Sequence, residues 1–121
     1  MRSGAREGVE LVCPFCRTPL ARPAEMRISA AEVVLGGTCS TCEALYIMDP
    51  TGKNVGELMM QGLGMAADRL SKELSAMIAG EDYDDRVLSY DWRTHRSPGE
   101  PKGFMDGHGR LYVIKVRKKS G

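Results

Sequence analysis

The sequence predicts an α+β protein, with β-hairpins toward its N-terminal end, one central amphipathic helix, and a C-terminal β-hairpin or small sheet. Three observations carry this. Four cysteines fall in two close pairs, each flanked by short extended runs. Apolar residues between Leu63 and Met77 recur at helical spacing, and in the last third aromatic and β-branched residues alternate with polar ones.

A chain of 121 residues is the size of one domain. Apolar residues at 42% and charged residues at 27% are ordinary for a globular protein. The formal net charge of +1 provides no global pull toward nucleic acid or an anionic membrane, so electrostatic arguments must be local. The first ten residues hold two arginines and two glutamates, with no apolar stretch behind them. The least polar run, Leu58 to Ala67, contains Gln61 and two glycines and is about half the ~20 residues a membrane span needs. These features lead us to expect a soluble, cytoplasmic protein with no membrane partner.

Along the chain, residues 1–9 read as a flexible arm. Glu10 to Val12 is a short extended entry to Cys13-Pro14-Phe15-Cys16. Residues 17 to 25 hold two prolines and read as a loop; Met26 to Ser29 reads as a strand. Glu32 to Leu35 leads through Gly36-Gly37-Thr38 to Cys39-Ser40-Thr41-Cys42, and Ala44 to Met48 is a strand stopped by Asp49-Pro50-Thr51-Gly52. The helix is read over Val55 to Ala79, with Asn54 as N-cap, Glu57 completing a capping pair and Gly80 as the stop. Leu63, Ala67, Leu70, Leu74 and Met77 form its apolar stripe. Arg86 to Thr94 has a strand's alternation, with a short helix over Asp84 to Tyr90 as the competing reading. Ser97 to Pro101 reads as a loop. Gly103 to Met105 and Arg110 to Arg117 flank Asp106-Gly107-His108-Gly109 as a hairpin, with Tyr112, Ile114 and Val116 toward the core.

The cysteine pattern is Cys-x2-Cys, twenty-two intervening residues, then Cys-x2-Cys. In a reducing compartment such pairs point to metal ligation before disulfides. Two intervening residues let a tight turn aim both thiolates at one ion, and two such turns complete a tetrahedron. Cys13, Cys16, Cys39 and Cys42 are therefore the candidate ligands of one structural Zn2+, with iron as the minor alternative. Here the chain resembles the zinc-ribbon (rubredoxin-like knuckle) families, over about residues 10–50, with proline after the leading cysteine of the first knuckle. The resemblance implies knuckles on neighbouring β-hairpins. Many ribbon knuckles carry glycine directly after the second cysteine, whereas Arg17 and Glu43 stand there in this chain. On this reading residues 10–50 form the ribbon, and residues 51–121, the helix and C-terminal β-structure, pack with it as one compact domain.

Four protein ligands leave no open coordination position, so the metal is expected to be structural and the protein non-catalytic. Gly62-Leu63-Gly64-Met65-Ala66-Ala67 has the glycine pattern of a dinucleotide turn, but it sits inside the helical period and reads as helix packing. His95 lies among Trp92, Arg93 and Arg96, and His108, which could pair with Asp106 for acid/base chemistry, reads as part of a solvated turn; no small-molecule substrate is evident.

Two binding surfaces are legible. The Met-rich flank of the helix (Met59, Met60, Met65 and Ile78) suits adaptable contact with a protein, a second copy included, and makes an adaptor the first functional expectation. The alternative is a nucleic-acid-associated regulator. From Pro98 to Gly121 six basic residues stand against two acids, a local net of +4. Lys115, Arg117, Lys118 and Lys119 would track phosphates, while Arg93 and Arg96 beside Trp92 would support stacking.

Overall fold

In a computed structural model, residues 9–27, 32–49, 55–99 and 109–117 are described. The strands are β1 (Val9–Glu10), β2 (Ala24–Arg27), β3 (Val33–Thr38), β4 (Leu45–Asp49), β5 (Tyr83–Asp91), β6 (Arg96–Gly99) and β7 (Gly109–Val116). The helix α1 (Val55–Leu70) lies between β4 and β5 in the chain. The seven strands among the described residues join one antiparallel sheet in the order β1-β6-β5-β7-β4-β3-β2, which gives an α+β fold.

The sheet explains the burial pattern. Leu45 to Asp49 are buried without alternation, as are Gly109 to Ile114. Strands covered on one face only would alternate; continuous burial means that both faces are covered. On one face Leu45, Ile47, Tyr112 and Ile114 meet Leu58 and Ala66 of α1. On the other, Tyr46, Met48, Leu111 and Val113 meet Leu11, Cys13 and Leu20 from the segment that carries the first cysteine pair. Fully burying each leucine, isoleucine, valine or methionine among them stabilises by about 1.5–3 kcal/mol.

Helix and sheet approach closely at Gly62, where an added methyl would meet the Tyr112 ring at 2.6 Å. Gly62 therefore serves helix packing inside α1, whereas a side chain added at Gly64 would meet nothing within 4 Å. At the far end of the same face, Asp49, Arg110 and Ser89 are cross-strand neighbours on β4, β7 and β5, and all are buried.

Several boundaries differ from the sequence reading. The helix ends at Leu70, nine residues short of Ala79, because Ser71 turns left-handed (φ 54°). The Ser71 and Lys72 amides then donate to the Asp68 and Ala67 carbonyls, the paired bonds of a Schellman stop. Leu74 lies instead in a short 3-10 turn, Leu74–Ala76, and Met77 follows it. Lys72 reaches the buried carboxylate of Asp82 at 2.8 Å, which also accepts the Ile78 amide at 2.8 Å. Gly80, with φ +83°, serves the turn into β5 and not a helix end.

Residues 83–91 form a strand, so the competing helix is excluded. Its alternation is incomplete: Tyr90 and Ser89 are both buried, whereas Trp92 lies past the strand end and is 53% exposed. The loop read at Ser97 is in fact part of β6, which pairs with both β1 and β5. β7 is flanked on both edges by β4 and β5. The hairpin residues 103–108, His108 among them, lie outside the described residues, as does the N-cap Asn54.

Candidate metal centre

Each cysteine pair is built by the same backbone device. The Cys13 amide donates to the Thr18 carbonyl (2.8 Å) and the Arg17 amide to the Cys13 carbonyl (2.8 Å). In the second pair the Cys39 amide donates to the Ala44 carbonyl (2.8 Å) and the Glu43 amide to the Cys39 carbonyl (3.0 Å). Both turns close through a left-handed residue, Arg17 at φ 68° and Glu43 at φ 67°. These are the two positions where ribbon knuckles favour glycine, and the turn geometry requires the conformation whichever residue stands there.

The turns bring four sulfurs together. All four Sγ atoms lie within 4.8 Å of one another. Cys13 and Cys42 stand 3.6 Å apart, and Cys16 and Cys39 3.5 Å. Four sulfurs around one ion, with metal–sulfur bonds of about 2.3 Å, would be separated by about 3.8 Å. None of the four is in a disulfide. The cluster could hold a metal ion, and the donor set is that of a soft or borderline cation.

The thiols of the cluster are shifted unequally. Burial raises the Cys13 thiol and pushes that of Cys42 up to about 12. Cys16 moves the other way, to about 6, chiefly through its contact with the Thr18 hydroxyl. Buried thiols resist ionising without a cation to neutralise them; a metal ion supplies that charge.

The surroundings hold the knuckles in place. Thr18 donates to the Thr41 hydroxyl at 2.9 Å, joining the two turns. From the last turn of α1, the Arg69 guanidinium donates to the Glu43 carbonyl and lies 3.5 Å from the Thr38 hydroxyl. Arg86 of β5 stacks over the Phe15 ring, 5.6 Å from its centroid. Downstream of the first knuckle, Tyr46 donates to the Ala21 carbonyl, Arg22 to the Trp92 carbonyl, and His95 bonds the Leu20 carbonyl while Tyr90 meets its Nδ1 at 2.7 Å. Sequence reasoning missed Thr18, Thr41 and Arg69. A threonine two residues after Cys16 is a local signal, but nothing near Arg69 in sequence announces a partner 26 positions away.

The other candidate residues are scattered. Arg117 forms a two-pronged ion pair with Asp84, at 2.8 and 2.9 Å, and Lys115 is the cross-strand neighbour of Asp84. Arg96 is opposite Asp91, at the other end of the β5–β7 ladder, roughly 20 Å away at strand rise. Arg93 is exposed in the turn after β5. Lys118 and Lys119 lie outside the described residues. On the helix side, Met60 and Ile78 are exposed, whereas Met59 and Met65 pack partly into the core. Among the described residues no helix is long and apolar enough to cross a membrane. Comparisons with protein-family models, curated proteins and solved structures yield no match to this chain.

Proposed function

We propose that this chain is a small, non-catalytic zinc-binding protein of the cytoplasm that works as a protein-binding module. The convergence of Cys13, Cys16, Cys39 and Cys42 from two equivalent turns carries the zinc reading. Four thiolates complete a tetrahedral shell, the arrangement of structural zinc, and leave no position for a substrate. The ion's part is to pin the 11–22 segment across one face of the sheet. Binding through protein contact is supported by the exposed Met60 and Ile78.

The test is native mass spectrometry on protein purified without added metal, with elemental analysis of the same sample. One zinc per chain supports the reading, and the same spectrum reports a dimer or a retained partner. One iron per chain would make the site rubredoxin-like. A metal-free chain lighter by about four hydrogens would mean two disulfides and would overturn the proposal. The nucleic-acid alternative separates in a salt titration, because phosphate binding weakens steeply as salt rises.

A further inference from the structure

A groove of about 560 Å³ runs along the outer flank of α1. Met60, Gly64, Met65 and Leu74 are among the residues of its floor, and Met60 is 54% exposed there. Glu32, Glu57, Asp68 and Glu73 also line it and form its acidic rim, the Glu32 carboxylate accepting from Gln61 at 2.8 Å. Among the described residues the one cation in the lining, Lys72, is tied to the buried Asp82 at 2.8 Å, so the described rim is acidic on a chain of net charge +1.

Glu57, Met60, Gly64 and Asp68 follow one another at steps of three and four, a stripe about 16 Å long on α1. A side chain added at Gly64 would meet nothing within 4 Å, so the middle of the stripe is a notch. A notch between an exposed methionine and flanking acids at helical spacing matches a second helix laid alongside, with apolar residues inward and basic residues at its borders. Another copy of α1 is a poor occupant, since its matching stripe would bring like charges together.

We infer that this groove receives a basic amphipathic α-helix from a partner protein. Its apolar face lies on Met60 and in the Gly64 notch, and its lysines and arginines meet the rim carboxylates. The inference rests on the reading of the chain as a protein-binding module and supplies the chemistry of the partner.

The probe is a fluorescein-labelled Leu/Lys amphipathic helix of 16 residues, the length of α1, compared with the same peptide carrying Glu for Lys. Anisotropy is measured on the full chain, metal-loaded, at about 0.15 M salt. The Leu/Lys peptide is expected to bind at least about tenfold more tightly than the Leu/Glu peptide. Gly64→Leu, which fills the notch, is expected to weaken it at least about tenfold. That variant points into open space and improves helix propensity, so it keeps its fold; circular dichroism and metal content verify this. Charge reversal at Glu57 and Asp68 to lysine should weaken binding independently.

Equal binding to the parent and to Gly64→Leu would mean diffuse charge attraction and would overturn the groove. So would no binding by the parent at about 100 μM peptide. If the chain retained another protein on purification yet ignored this peptide, the binding-module reading would stand and the groove would fall. A chain without metal would remove the zinc reading, whatever the peptide does.

Discussion

Arg17 and Glu43 adopt the left-handed conformation at φ 68° and 67°, and each closes a knuckle there. A non-glycine residue carries a conformational cost in this region that glycine avoids. Arg17 is exposed and Arg17→Gly leaves the backbone bonds intact, so this change should raise stability by up to about 1 kcal/mol, read from urea unfolding of the metal-loaded protein. Asp82 acts in the opposite sense. Its carboxylate is buried against Lys72 and the Ile78 amide, and Asp82→Ala should cost about 3 kcal/mol in the same assay. The cysteines set a pH dependence. With burial raising Cys13 and holding Cys42 near 12, thiol protons must leave as metal binds. Metal affinity should therefore fall as pH falls. Calorimetric titrations in buffers of different ionisation enthalpy should show protons released on binding; no release would contradict four-thiolate ligation.

At the element scale, α1 tests how the glycines are used. Gly62→Ala places a methyl 2.6 Å from the Tyr112 ring and should destabilise by about 1–3 kcal/mol despite alanine's better propensity. Gly64→Ala meets nothing and should stabilise by up to about 1 kcal/mol. Thermal unfolding of the two variants should move in opposite directions. Both glycines look alike in the sequence, since only the packing of Tyr112 distinguishes them. The same limit explains the overlong helix. Leu74 and Met77 continue the apolar period of α1, but Lys72 and Ile78 answer to the buried Asp82, a partner that periodicity cannot reveal. In contrast, the extended runs at 33–38 and 45–49 were legible because β-branched and aromatic residues cluster there between turn signals.

On the scale of the whole molecule, the sheet lies between α1 and the cysteine-bearing segment. Metal binding of this class contributes on the order of 10–16 kcal/mol at neutral pH, so its loss should reach beyond the site. Chelation should lower the melting temperature steeply. Hydrogen exchange should quicken first at the Cys13, Arg17, Cys39 and Glu43 amides, which close the two turns. If chelation left exchange and melting unchanged, the metal would have no part in the fold. Acid should act alike through thiolate protonation. It should also weaken the Asp84–Arg117 pair: the guanidinium holds the Asp84 carboxyl below its usual range, so its contribution is present above the unfolded-state pKa and is lost as pH falls through the folded one.

By itself the sequence determined the α+β class, the place of the helix, and the convergence of the four cysteines, because each depends on spacing within a few residues or on a repeated local turn. The tertiary structure decided what depends on distant partners. It joined the two β-regions into one sheet through β4 and β7, broke the alternation of β5 by burying Ser89 and Tyr90 together, and stopped α1 at Leu70. It also gathered acids on one flank of α1 and paired Arg117 with Asp84, 33 residues away in the chain. Long-range pairing and the burial of charge are properties of the packed chain, and no local pattern of residues encodes them.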